Sequence, residues 1–339
     1  HSLRLKTDGC DYTVNHQSEA TTPTTSQIVS KGQAVVETAK LSTTLPPMTS
    51  SQVQLRGTQT FPVDVVWTSS DDPQASALAG LQATTRIGWD QARVVGVQVG
   101  KADVPVTIDG GQLSTAAEIP VSGGMLRWGI ASDLTADELV LVQQPMTVLE
   151  NVAITPEMSK GWLKFVTPLV AEATSVDGRL SLTLSEANLI PTNPRKQTVV
   201  GRLVMHSAEV GPGPLSNKVI GFVRQIDAIR KQDFTQQIGN QAVWLRMPEQ
   251  AIDFQMIEGR VIHRNLNVRI GDVTLTTAGS VDVSGQMDLL GSMPIPDDWI
   301  EKSPWLASLR GQSLQIPVRG SLTAPQLDGS IIQQLGRQT

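Results

Sequence analysis

The sequence predicts a mainly β protein with a few α-helices, and three observations carry that expectation. Apolar and polar residues alternate with period two along much of the 339-residue chain. Glycine-containing breaks separate the alternating runs at hairpin spacing, and helix-period apolar stripes occur in only a few short windows. With one tyrosine and five phenylalanines, the apolar mass is largely Val, Leu, Ile and Ala, which suits a pleated sheet surface.

In chain order, Val53 and Leu55, then Val63, Val65 and Trp67, mark the first strands. Leu81, Ala83, Thr85, Ile87 and Trp89 make a longer row, followed by Val104, Val106 and Ile108, and by Leu180, Leu182 and Leu184. The clearest run is Arg260 to Ile270, where Ile262, Leu266, Val268 and Ile270 fall on one face. His263, Asn265, Asn267 and Arg269 fall on the other, and Arg264 interrupts the apolar side. Past Gly271-Asp272, Val273 and Leu275, then Val281 and Val283, then Met287 and Leu289 continue the alternation as a meander of antiparallel hairpins. A loose apolar-x-Gly-x-apolar unit recurs at Val176 to Leu180, Ile257 to Val261, Val283 to Met287 and Val318 to Leu322. It reads either as ordinary hairpin punctuation or as glycine inside a bent strand.

Three helices are expected. Thr155-Pro156-Glu157 is an N-terminal signal, and Met158, Trp162, Phe165 and Leu169 follow at helical spacing over 156–170, with Gly161 and Pro168 set to kink or end the helix. A second stripe over 216–231 carries Val219, Phe222, Val223, Ile226 and Ile229. A third, over 297–309 and broken by Pro304, carries Trp299, Ile300, Trp305, Leu306 and Leu309, and a terminal turn holds Ile331, Ile332 and Leu335. Such stripes cover a sheet face or plug its open end. The alternative is that Trp162, Phe165, Trp299 and Trp305 contact a membrane surface. The first strong helix signal sets a domain boundary, with an N-terminal β-rich region over 1–153 and a second β-rich region with the helices over 154–339.

Chemistry-bearing motifs are scarce. The net charge of −5 argues against nucleic acid as the main partner, because neutralising phosphates needs a basic face. One cysteine, Cys10, excludes an internal disulfide or a paired-cysteine metal site. The histidines His1, His16, His206 and His263 lack metal-ligand spacing, and no serine nucleophile signature occurs. Asp71-Asp72 and Asp297-Asp298 precede helical patterns, where carboxylates satisfy free N–H groups. No cofactor, metal or catalytic residue is therefore expected. No apolar run is long enough to cross a bilayer. The His-Ser start reads as a vector scar or an excised fragment, in which case a signal or a membrane anchor of the full-length form lies outside the residues read.

The segment from Met256 to Ser330 resembles the AsmA-like superfamily of bacterial envelope proteins, which includes TamB-like members. The resemblance rests on Met256-Ile-Glu-Gly259-Arg-Val261, Leu266-Asn-Val268, Gly279-Ser-Val-Asp282-Val-Ser-Gly285-Gln-Met-Asp288, and Ile316-Pro-Val-Arg-Gly320-Ser-Leu-Thr-Ala-Pro325-Gln-Leu-Asp328. It implies a long curved antiparallel sheet, a β-groove or open barrel-like form. It further implies a non-enzymatic periplasmic or envelope protein that binds or conducts phospholipid acyl chains or assists outer-membrane assembly. Acyl chains need a continuous apolar strip without competing water. On that reading the groove is lined by Ile262, Leu266, Val268, Ile270, Val273, Leu275, Val281 and Val283. The alternatives are an envelope scaffold that docks another protein, its sheet face filled by the helices and holding no lipid, and, less favoured by the scarce aromatics, a polysaccharide-acting enzyme.

Overall fold

The computed structural model describes residues 2–7, 10–20, 26–40, 53–70, 72, 74, 76–94, 97–231, 245–271, 273–295, 297–302 and 310–328. Pro46-Pro47, Asp71, Trp305, Leu306, Leu309 and the expected turn at Ile331 to Leu335 lie outside them. The protein is mainly β, with antiparallel strands and few helices. It divides into two compact units. Unit 1 comprises His1–Glu150 and Thr183–Val199; unit 2 comprises Asn151–Leu182 and Val200–Thr339. The single division expected near Ile154 thus becomes a division at Glu150, with a segment that returns to unit 1.

Unit 1 is a meander. β1 (Ser2–Thr7), β2 (Cys10–Ala20), β3 (Ser26–Glu37), β5 (Thr58–Thr68), β6 (Leu81–Trp89), β9 (Ala102–Asp109), β10 (Gln112–Val121) and β11 (Gly124–Asp133) pair in that order. β11 then pairs with β12 (Leu141–Gln143) and β13 (Met146–Ala153). β4 (Val53–Arg56), β7 (Gln91–Val94) and β8 (Val97–Val99) extend β5, β6 and β9 past short breaks, and pair as β4–β7–β8–β10. The alternating segments of the sequence become these strands because each puts its aliphatic residues on one face and its polar residues on the other.

Cross-strand ion pairs on the polar face reinforce the register. Lys31 lies directly opposite Asp64 at 3.3 Å, and Arg127 opposite Glu118 at 2.9 Å. Exposed pairs of this kind contribute little to stability, but a one-residue slip would separate them and turn the apolar face to water.

In unit 2, β15 (Thr198–Val210), β16 (Leu245–Met247), β17 (Gln250–Ile257), β18 (Arg260–Ile270), β19 (Val273–Asp282), β20 (Gln286–Pro294), β21 (Ser313–Ser321) and β22 (Pro325–Leu327) continue the antiparallel pattern. β14 (Val176–Leu189), like β13 and β15, supplies residues to both units. Most of the helical residues belong to unit 2; among the described residues, unit 1 has helical residues 38–40 and 3-10 turns over Ala77–Gly80 and Pro194–Lys196. α1 (Pro156–Met158) begins with the Thr155 hydroxyl accepting the Met158 N–H at 3.2 Å, as the Thr-Pro-Glu signal predicts. A single π turn over Ser159–Leu163 follows, non-helical at Gly161, then α2 (Lys164–Val166) and a 3-10 turn over Pro168–Val170. Gly161 and Pro168 thus break the helix as their chemistry requires. α3 (Pro214–Lys231) is the longest helix, and α4 (Asp297–Lys302) starts at the paired acids.

Helices and sheet in unit 2 close on each other. Val219, Phe222, Val223 and Ile226 of α3 are buried, as are Leu163, Val166 and Leu169 before it. α2 packs on β18 and β19, and α3 on β22. Between Leu215, Phe222, Leu275, Leu289 and Val318 the residual space is about 10 Å³, which is the room one water needs. Each buried aliphatic or aromatic side chain there stabilises the unit by roughly 1.5–3 kcal/mol.

Candidate functional site

The two units treat their apolar faces differently. In unit 1 the helical pieces among the described residues are at most four residues long. The register gives the rows on its apolar face. One runs Gly32, Val63, Thr85, Val106, Thr115, Ile130, and the next Ser30, Val65, Ala83, Ile108, Leu113, Ser132. At ~4.8 Å per strand, each row extends roughly 24 Å.

Burial is graded along the strands. Ala34, Phe61, Trp89, Val104, Ile119 and Val121 are buried toward one end, whereas Val63, Val65, Trp67, Leu81, Ala83, Val106, Ile108 and Leu113 are only half-buried. The half-buried rows mix branched residues with the small Ser30, Gly32, Ala83, Thr85 and Thr115, which lowers the floor between the larger side chains. Within this floor the hydroxyls of Thr115 and Ser132 are buried without a hydrogen-bond partner among the described residues. The Thr85 hydroxyl, by contrast, donates to the Pro62 carbonyl at 2.8 Å. Leaving a buried hydroxyl unpaired costs ~1–3 kcal/mol, so these two groups are donors available to a polar atom of a ligand or to water.

The residues that the sequence proposed as groove lining lie in unit 2, beneath the helices. Leu266 and Val268 are fully buried, and Ile270, Val273, Leu275 and Val281 nearly so. Ile262 lies on the opposite face, half-exposed, and Val283 is exposed beyond the end of β19. The cause is a β-bulge between His263 and Leu266, where Asn265 adopts φ 58°. One extra residue inverts the parity of the strand, so Val261 and His263 share the inner face with Leu266, Val268 and Ile270. The sequence reading that put His263 on the polar face is thereby corrected.

His263 is fully buried, with Nε2 3.3 Å from the Thr277 hydroxyl and Nδ1 without a partner among the described residues. Burial disfavours the imidazolium and lowers the His263 pKa from 6.5 to about 4. His206 meets the Ser181 hydroxyl at 2.8 Å. Trp162 and Phe165 are half-buried, with the Lys164 ammonium 5.2 Å from the Phe165 ring centroid. The side chain of Trp299, like Trp305, falls outside the described residues. Among the described residues no three His, Cys, Asp or Glu side chains gather as a metal would require, and no helix is long and apolar enough to cross a membrane.

Two residues of the resemblance motif have plain structural work. The Asp282 carboxylate accepts hydrogen bonds from the Ser284 N–H at 2.9 Å, the Ser284 hydroxyl at 2.6 Å and the Gln286 N–H at 2.9 Å, closing the β19–β20 turn. Partial burial raises its pKa, but these bonds and Arg260 outweigh that and hold it below the usual carboxylate range. Gly279 has φ 143°, and a Cβ there would collide with the backbone of Asp288 and Leu289 on β20.

The half-buried face of unit 1 was not singled out from the sequence, although its signal was present in the alternation at Val63 to Trp67, Leu81 to Trp89 and Val104 to Ile108. No family model matches the chain, and neither a curated protein nor a solved structure matches it.

Proposed function

We propose that this protein is a non-enzymatic cell-envelope protein whose unit 1 sheet face binds or conducts lipid acyl chains in the periplasm, or assists outer-membrane assembly, as an AsmA-like protein would. The observation that carries the reading is the contrast between the units: a half-buried apolar face in unit 1 and a filled one in unit 2. Burying a methylene gains ~0.8 kcal/mol, so ten methylenes along the Val63 and Val65 rows would supply about 8 kcal/mol before ordering costs. The Thr115 and Ser132 hydroxyls offer donors to an ester carbonyl. The envelope assignment rests on the motif resemblance alone. The filled face of unit 2 supports a second reading for that unit, a scaffold that holds no lipid and presents its outer surface to an envelope partner.

Purification without detergent, followed by native mass spectrometry and solvent extraction, tests the proposal. Phospholipid in near-stoichiometric amount is the expected result. A clean protein mass, with no uptake of a fluorescent fatty-acyl probe, would leave the scaffold reading.

A further inference from the structure

We propose that the polar face of unit 1 carries a binding site for a phosphate ester, built on Arg56 and Arg93. The site begins with aligned irregularities in neighbouring strands: Gly57 separates β4 from β5, Asp90 separates β6 from β7, and Gly100 with Lys101 separates β8 from β9. Such breaks bend a sheet. At Gly57, φ 128°, a Cβ would overlap the Asp90 carboxylate, so glycine lets the two broken strands approach. Over the bent β4–β7–β8 patch lies an open cavity of about 530 Å³, lined in part by Gln54, Arg56, Gln91, Arg93, Gln98 and Pro120. Its volume is within the ~300–1,000 Å³ range of small-molecule sites.

The two arginines are anomalous on this face. Arg93 stands opposite both Gln54 and Gln98, and Arg56 opposite Gln91, so the guanidinium groups are diagonal neighbours on adjacent strands. Other cations nearby have acidic partners: Arg86 reaches Asp103 at 2.7 Å, Arg127 reaches Glu118 at 2.9 Å, and Lys101 reaches Asp90 at 3.7 Å. Asp90 is further engaged by Gln59 at 2.9 Å. Among the described residues no carboxylate pairs with Arg56 or Arg93. Like charges placed side by side on a sheet repel each other, and a bound phosphate anion offsets that cost.

The chemistry favours phosphate. Two planar forks supply several N–H donors to tetrahedral oxygens, and the surrounding glutamine amides suit the hydroxyls of the alcohol that the phosphate esterifies. The site lies on the polar face, opposite the apolar rows, so it stands independently of acyl-chain binding. Its ligand is either a free phosphate ester or a phospholipid head group.

The test uses the full chain in two arms: calorimetric titration with sn-glycerol 3-phosphate, and flotation with vesicles of phosphatidylglycerol. Arg56→Gln and Arg93→Gln are compared with Arg86→Gln, which removes a paired charge from the same face. Binding in at least one arm is expected, weakened about tenfold or more by either site substitution and little changed by Arg86→Gln. Binding of the soluble ester assigns a free phosphate ester, and binding of vesicles alone assigns a head group. Melting temperatures of the two site variants should equal or exceed that of the parent, because the like-charge pair is relieved. Absence of binding in both arms, or an equal loss with Arg86→Gln, would overturn the proposal.

Discussion

The buried imidazole of His263 makes acid sensitivity a direct readout of the unit 2 core. In the unfolded chain its pKa is the ordinary 6.5, and in the fold it is about 4. Below pH 6.5 the unfolded chain takes up a proton that the folded one refuses, so stability falls as the pH drops from 6.5 toward 4 and levels off beneath that. The difference corresponds to about 3 kcal/mol at ~1.36 kcal/mol for each unit between the two values. Carboxylates titrate in part of this window too, so the comparison must isolate the histidine. His263→Leu removes the titration and the unpartnered Nδ1 at the cost of one weak contact to Thr277. Urea denaturation of both proteins from pH 7.5 to pH 4, followed by tryptophan fluorescence, is the assay. The variant should gain about 3 kcal/mol relative to the parent across that range. Parallel pH profiles for the two proteins would refute the burial argument.

Three further outcomes follow from the same geometry. Asp282→Ala, which strips the β19–β20 turn of its acceptor, should lower stability by about 1–2 kcal/mol in chemical denaturation at neutral pH. Gly279→Ala combines a φ hostile to side chains with a collision against β20 and should cost more than about 2 kcal/mol, visible as a lowered melting temperature. Leu275→Ala in the filled core should cost ~2–5 kcal/mol without changing acyl-probe uptake. Ile108→Ala on the half-buried face should cost about 1 kcal/mol or less yet weaken uptake measurably.

Local chemistry made much of the fold readable. Alternation marked the strands because a half-buried sheet must repeat every two residues, and Thr155, Gly161 and Pro168 marked the start, kink and end of the first helix because their effects are confined to neighbouring peptide groups. The stripe from Val219 to Ile226 identified α3 for the same reason. The face of β18 was misjudged because a single inserted residue at Arg264-Asn265 shifts every later side chain. The two consecutive polar residues there were the visible trace of it. The location of the half-buried face was hidden for a different reason. Leu275 and Ile108 occupy equivalent alternating patterns, and only the distant α2 and α3 make one of them core and leave the other half-exposed.

Site-specific photo-cross-linking tests that contrast most directly. A photoreactive residue is placed singly at Val65, Ile108 or Leu113 of unit 1, or at Val268 or Leu275 of unit 2, and the protein is irradiated in cells before mass analysis. Lipid adducts at the unit 1 positions and none at the unit 2 positions are the predicted result. Adducts confined to unit 2, or absent from all five positions, would contradict acyl-chain binding on the half-buried face of unit 1.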